Sequence, residues 1–465
     1  MTGQLDIVLG CPALQVPEDH LARAVQKIVA GFDLSKVEAK YSSLGRRGYA
    51  PANLLAVWIY ASLIGIHHAT KVARALQTDA ALRLLSGGYS VSRSRLNDFR
   101  QRHGAMFSEL IEQTVATARS KGLLQLDDLA ADSMRLRAHA STKAVRTLSR
   151  SKKRLQELAS VDESALSNEE REKHRAKLGK HTTAVEECEK RGRPNVVTTN
   201  PSAAMMKFPD GAGLPGHRIS TMAAGMRTRL IVGVLVTPDT NDYGMLESVV
   251  GETRRLLGRI GVADDAKLQV AADAGYCAQD DLAFADRVRD RTDILIDGTH
   301  EPPSAGRFFG RDRFVIHTDG SATCPAGRRM DGPIRHSEGR TQWTGVGCTD
   351  CSLRAGCTDA KYRSFTANPE LDRLRASMRA RMEAPDGKQR YNRRIATVEP
   401  VFSNIESTMG YRRASSRFET TIIAEVMLKV LAHNVSRLLA AKPLSCVYCF
   451  ITPDGYLRPL EKNSW

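Results

Sequence analysis

Apolar positions early in the chain recur with the period of a helix. Between Asp19 and Phe32, Leu21, Ala24, Val25, Ile28 and Val29 fall on one face. Pro51 opens a second helix, Ala52 to Gly65, with proline in the permitted first turn. The chain's most apolar run, Leu54 to Ile66, has 13 residues, too few to cross a bilayer and suited to a buried helix. A third helix, Lys71 to Leu85, follows the capping candidate Thr70. Gly87-Gly88 breaks the chain, and Ser92 or Ser94 then caps a helix carrying Arg93, Arg95, Arg100, Arg102 and His103.

Beyond residue 120 the period shifts to that of strands. Residues 122 to 132 form a strand candidate that ends in Asp132-Ser133, with Arg135, Arg137, His139 and Lys143 just beyond. Residues 216 to 237 suggest a hairpin, whose second arm, Thr228 to Thr237, is β-branched and apolar. A helix near Gly244 to Leu257 follows. In Leu268 to Asp273, Leu268, Val270 and Ala272 alternate with Gln269, Ala271 and Asp273, and Gly275 ends the strand. That pattern delivers a carboxylate at a rigid strand tip. Strands beside one another, then a helix, then an acid-tipped strand predict a mixed α/β sheet.

Near the end, Val398, Val401, Phe402 and Ile405 restore helical spacing, placing Glu399, Phe402 and Glu406 near one another. Pro400 disfavours α geometry at Glu399, so this helix either starts or kinks there. Glu419 to Leu439 is a closing amphipathic helix.

Composition narrows the class. The chain has 465 residues, 42% of them hydrophobic, which suits two to four domains with a sizeable core. A net charge of +16 argues for a polyanionic partner, with nucleic acid ahead of an acidic membrane surface. Met1 to Val16 lacks the pattern of a secretory signal. Helix, Gly-containing turn and Arg-rich helix resemble a helix-turn-helix; a helical bundle with a solvated basic face fits equally. Residues 142–194 carry 14 Lys/Arg against nine Asp/Glu, and suggest a helical hairpin or arm, or a solvated insertion that touches no DNA.

Of nine cysteines, four cluster in residues 295–365: Cys324, Cys348, Cys351 and Cys357. Cys348-Thr-Asp-Cys351 has the spacing of a zinc knuckle, but the second CxxC of a full ribbon is missing. A structural Zn²⁺ and free structural thiols both fit, with His317 and His336 as alternative ligands. Cys446 and Cys449 make another CxxC, read as ordinary thiols.

Asp132, Asp273 and Glu399 are the acids that could do chemistry. Cutting a phosphodiester needs an activated water or 3′-hydroxyl and stabilisation of developing charge, which two divalent cations about 4 Å apart supply. Carboxylates from separate elements suit Mg²⁺ or Mn²⁺.

The sequence resembles the DDE transposases of bacterial insertion sequences, in the branch whose last acid lies in a Tyr-Arg-Glu-Lys signature. The resemblance rests on Tyr49-Ala-Pro51 with its apolar helix, Ser86-Gly-Gly88, Phe99-Arg-Gln-Arg-His103, Ala131-Asp-Ser133 and Ala272-Asp-Ala-Gly-Tyr276. Tyr391, Arg394, Val398-Glu-Pro-Val-Phe402, Gly410-Tyr-Arg-Arg413 and His433-Asn434 complete it. It implies a ribonuclease-H-like core over 121–440, interrupted by a charged helical insertion (142–200) and a Cys-containing one (295–365). A helical DNA-binding domain (1–120) precedes the core and a tail (441–465) follows. It implies that Asp132, Asp273 and Glu399 bind two Mg²⁺ or Mn²⁺ ions. Tyr391 and Arg394, or Arg393 by the alternative alignment, would contact the DNA end, with Arg95, Arg100 and Arg102 reading the inverted repeats. Where the signature has Lys, this chain has Glu406, and Arg412 or Arg413 would substitute. The implied protein is a cytoplasmic, nucleoid-associated dimer on double-stranded DNA that cuts element ends and joins 3′-hydroxyls to target, with no membrane role. The rivals are a stand-alone metal-dependent nuclease and an inert descendant that only binds DNA.

Overall fold

The computed structural model describes residues 12–41, 48–297, 308–336, 339–441, 449–451 and 457–459. Cys446 lies outside them. The chain divides into two compact units. The first holds residues up to Asp242, Ser248–Gln269 and everything from Arg393; the second holds Tyr243–Glu247 and Val270–Asn392.

In the first unit, helices α1 (Leu21–Ala30), α2 (Pro51–Leu63), α3 (Ala69–Thr78), α4 (Ala80–Leu85), α5 (Arg93–Arg102) and α6 (Gly104–Ser120) come first. The expected third helix is two helices. Asp79 breaks it, because its carboxylate accepts the Leu82 N–H as N-cap of α4 and its own backbone is extended. Of the two candidate caps for α5, Ser92 is the one used.

Strand β1 (Leu129–Arg137) pairs antiparallel with β5 (Gly213–Ala224), opposing Asp132 to Thr221. The expected strand over 122–132 is thus displaced: pairing starts at Leu129 and continues to Arg137, so Asp132 lies inside the strand. The antiparallel partner, which local periodicity does not reveal, sets those ends. β2 (Val145–Thr147), α7 (Leu148–Ala159), α8 (Asn168–Lys190) and β3 (Asn195–Val197) form the charged insertion. α7 packs on α8, and β2 pairs with β3. The start of α8 carries a capping box between Ser167 and Glu170.

β4 (Ala204–Lys207) and β6 (Leu230–Thr237) both pair with β5. α9 (Leu246–Arg259) precedes β7 (Leu268–Ala272) in sequence. At the chain's end, α12 (Gly387–Ser403) runs on into a π-helical turn, Asn404–Thr408, before α13 (Glu419–Ala440). α13 is buried almost all round, since it packs on α6, α2 and β6. Its Asn434 is fully buried and substitutes for a strand neighbour: its side chain accepts the Ile231 N–H at 2.9 Å and donates to the Ile231 carbonyl at 2.9 Å.

In the second unit, β7 lies beside β8 (Thr292–Ile296), with α10 (Gln279–Arg287) between them in sequence. A small β module follows: β9 (Val315–Ile316) pairs with β10 (Ala322–Thr323), and β12 (Thr341–Thr344) lies between β11 (Asp331–Arg335) and β13 (Ser364–Ala367). Its core is Phe314, Ala322, Met330, Trp343, Phe365 and Ala367. α11 (Pro369–Glu383) packs on α10 and β8. Near the start of α12, Arg390 holds Asp293 of β8 at 2.7 Å, and Arg381 of α11 grips the same carboxylate. Burial pushes the Asp293 carboxyl up, but the two guanidiniums together bring it below the ordinary range. The chain is therefore a mixed α/β protein.

Candidate active site

Asp132 projects from β1, where a paired strand fixes its backbone. One carboxylate oxygen accepts the Ser133 N–H at 2.7 Å; the other accepts Nη1 of Arg394 at 2.9 Å. The arginine side chain is 9% exposed and the aspartate 20%, so water screens this pair poorly. The sequence signature offered Arg393 or Arg394; Arg394 is the inward one, and Arg393 is exposed.

Two further contacts tie α12 to residues flanking the neighbouring strands. Thr397 Oγ1 lies 3.4 Å from an Asp128 carboxylate oxygen, whose partner oxygen accepts the Met226 N–H at 2.7 Å. Pro400 sits inside α12 and has no N–H for the Ala396 carbonyl. Arg229 fills the gap, donating from Nε to that carbonyl at 3.0 Å. Arg229 has a positive φ of 53° and ends the turn between β5 and β6. The turn is held by its N–H on the Gly225 carbonyl at 2.7 Å. His433 donates from Nε2 to the Arg229 carbonyl at 2.8 Å and accepts from Asn404 at Nδ1, 2.9 Å away. Burial lowers the His433 pKa to about 4, so the ring stays neutral.

The helix therefore does not start at Pro400: it passes through it, and the Arg229 side chain takes the place of the lost donor. Glu399 lies on this anchored helix and is solvent-exposed. The next turn widens into the π-helix that carries Glu406, half-buried. Burial pushes the Glu406 carboxyl up, against an opposing pull from Arg412. Arg412 itself donates to the Glu406 backbone carbonyl at 3.1 Å.

The segment after that turn runs along the end of β1. Arg137 N–H donates to the Arg412 carbonyl at 3.2 Å, Ala414 N–H donates to the Arg137 carbonyl at 2.8 Å, and Arg413 Nε reaches the Ala138 carbonyl at 3.3 Å. Arg413 and Arg417 both lower the His139 pKa, after burial. A cationic patch thus forms just beyond the acid-bearing strand.

Sequence reasoning missed Arg218. It is buried on β5, donating to Ser133 Oγ and to the Asp242 carboxylate, each at 2.6 Å, and so braces the residue next to Asp132. An arginine within a segment read as a core hairpin strand is the signal that could have revealed it.

In the second unit, Asp273 follows β7 directly and caps a 3₁₀ turn, Ala274–Tyr276, accepting the Gly275 N–H at 3.5 Å. Tyr391, half-buried, lies on the part of α12 that belongs to this unit.

Among the Arg-rich helix residues, Arg95 and Arg102 are exposed and line an open cleft of about 810 Å³ with Tyr41, Tyr49 and Tyr89. Arg100 points inward instead. Its partner is Glu425 of α13, at 3.2 Å, and its guanidinium lies 5.0 Å over the Trp58 ring. The connection from α4 to α5, Ser86 to Ser92, is longer than the turn of a compact helix-turn-helix.

Among the described residues, no three His, Cys, Asp or Glu side chains are gathered tightly enough to grip a metal ion as they stand. The donor chemistry of Asp132, Asp273 and Glu399 nonetheless suits a hard cation: each offers carboxylate oxygen. Among the described residues, no helix is long and apolar enough to cross a membrane.

Two family models match the chain. Residues 323–439 match a transposase DDE domain, and residues 13–102 match a transposase domain (DUF772). The first match includes Glu399, Tyr391, Arg394 and the clustered cysteines; Asp132 and Asp273 lie outside both. No curated protein and no solved structure matches the chain. The two matches support a DDE-type transposase.

Proposed function

We propose that the protein is a DNA transposase that cuts at the ends of its own element and joins the freed 3′-hydroxyls to target DNA. The observation that carries this reading is the anchored helix. Arg394, Thr397 and the Ala396 carbonyl hold the Glu399 helix to the strand that bears Asp132 and to the β5–β6 turn. The two transposase-domain matches support it.

In this reading Asp132, Asp273 and Glu399 are the metal ligands of a ribonuclease-H-like core. Bound Mg²⁺ or Mn²⁺ supplies the Lewis acidity that activates the attacking oxygen and stabilises the leaving one. Arg394 neutralises Asp132 while no cation is bound. Its planar donors would also fit a DNA phosphate beside the cut. Arg412, Arg413 and Arg417 hold the strand beside the cut, and Tyr391 packs against the DNA end. The helical region read as the 1–120 domain recognises the inverted repeats through Arg95 and Arg102. Two element ends must be processed together, so the working form on DNA is at least a dimer.

The test is cleavage of DNA carrying the element's end in Mg²⁺, comparing wild type with Asp273→Asn. The reading requires wild type to cut and the mutant to bind without cutting; equal cutting by both would refute it. The half-buried carboxyl of Glu406, where the signature has a phosphate-gripping Lys, favours one rival: an inert descendant that binds DNA. Binding without cutting by wild type itself would favour that rival, and Glu406→Lys would then be tried for restored cleavage.

A further inference from the structure

Four thiols of the second unit surround one small cavity that the transposase reading does not use. Cys324 sits in the turn after β10, where the Gly327 N–H donates to its carbonyl at 2.8 Å and its own N–H donates to the Arg328 carbonyl at 2.9 Å. Cys348 and Cys351 lie on the turns after β12. Cys357 follows the 3₁₀ turn Arg354–Gly356, its N–H bonded to the Arg354 carbonyl at 2.9 Å. All four line a cavity of about 20 Å³, room for one water-sized occupant. None of the four forms a disulfide.

We propose that these four cysteines bind one structural Zn²⁺ ion that holds the β module together.

The donor set is the one zinc prefers: four sulfurs on three separate turns, in a spacing that includes a CxxC knuckle. As they stand, the thiols ring the cavity without closing on a common point. Zinc–sulfur bonds of about 2.3 Å would draw them inward, with loss of their protons. A tetrathiolate zinc centre carries a net negative charge, and Arg328, Arg354 and Arg363 line the same cavity. Arg354 and Arg328 are anchored on the knuckle backbone, on the Cys348 carbonyl at 3.1 Å and the Gly347 carbonyl at 2.6 Å. Gly345 leaves the space the thiols need: a Cβ there would lie 2.6 Å from Cys348 Sγ.

The two candidate substitutes are engaged elsewhere. His317 bonds Thr323 at 2.6 Å and His336 bonds Gln342 at 2.9 Å, and neither lines the cavity. The module also needs a staple, because two of its strands have two residues each and its core is six residues.

The experiment is zinc stoichiometry of the purified full-length protein by elemental mass spectrometry, with Co²⁺ substitution read by its thiolate-to-metal absorption. Wild type is expected to hold one zinc per chain and to give the cobalt band. Cys324→Ser and Cys351→Ser should each lose most of the metal, whereas Cys277→Ser, at a thiol outside the cavity, should keep it. If the serine variants fail to fold, the wild-type cobalt spectrum decides alone. Wild type free of zinc and without that band, a disulfide among the four, or full zinc in Cys351→Ser would each overturn the proposal.

Discussion

Arg100 of α5 and Glu425 of α13 form an ion pair at 3.2 Å in which the side chains are only 6% and 2% exposed. Glu425 also accepts from the Tyr411 hydroxyl at 3.1 Å, the Ser415 N–H at 2.9 Å and the Ser415 hydroxyl. Removing one member strands the other charge in the interior. Glu425→Gln is expected to destabilise the protein by about 3–5 kcal/mol, read from denaturant unfolding. Replacing both members with apolar residues of similar volume should recover much of that loss. A loss below about 1 kcal/mol for Glu425→Gln would show the pair is not buried in solution.

The same pair separates the arginines of α5 into two kinds. Arg95 and Arg102 are exposed on the cleft, Arg95 with only a loose surface pair to Asp98 at 3.9 Å; Arg100 is buried. Arg95→Ala and Arg102→Ala should each weaken DNA binding and reduce the salt slope by about 1. An Arg100 change should act on stability and leave that slope intact. Fluorescence anisotropy across a salt series distinguishes the two outcomes.

Arg229 and Pro400 form a pair in which each explains the other. Arg229→Ala leaves the Ala396 carbonyl without its donor and should cost about 1–3 kcal/mol. Pro400→Ala restores a backbone N–H in register with that carbonyl. The double variant should therefore be more stable than the sum of the single changes predicts, with a coupling of about 0.5–3 kcal/mol. Additive effects in a thermal-unfolding cycle would show that the guanidinium does not replace the helix bond.

Lys429 is buried on α13, donating to Ser62 Oγ at 2.8 Å, with the Tyr411 ring centroid 5.5 Å away. Burial lowers its pKa from 10.5 to about 7, opposed by Glu425 and aided by Arg100. The unfolded chain then binds more protons than the folded one between these values, so this lysine's contribution to stability rises with pH across that window. Below the lower value the penalty for charging it is complete. Lys429→Met should accordingly stabilise the protein more near about pH 6 than near about pH 10. A gain independent of pH would mean that the ammonium keeps its charge throughout.

Arg394 occupies one carboxylate oxygen of Asp132, so under the proposed metal role it would compete with a cation there. Arg394→Gln should lower the Mg²⁺ concentration needed for half-maximal thermal stabilisation, while cleavage of an element end falls by a factor on the order of 10–100. An unchanged Mg²⁺ dependence would place the metal elsewhere.

Periodicity alone was enough for the elements whose burial is strongly one-sided or complete. Leu21 to Ala30, Pro51 to Leu63, the Leu268–Ala272 strand and the closing helix all follow from local spacing, because each buries a face that its own residues define. The candidate acids and the four clustered cysteines were also legible, since acids after apolar runs and a CxxC stand out without a partner. Tertiary structure decided the rest. The ends of β1 depend on its register with β5, the pairing of Arg394 with Asp132 on two elements far apart in sequence, and the inward turn of Arg100 on Glu425, which lies far along the chain. The continuity of α12 through Pro400 depends on a guanidinium from a distant hairpin turn. A local pattern records which surface a residue would bury, not which distant group will meet its charge or its unpaired carbonyl. Those partners exist only once the chain is packed.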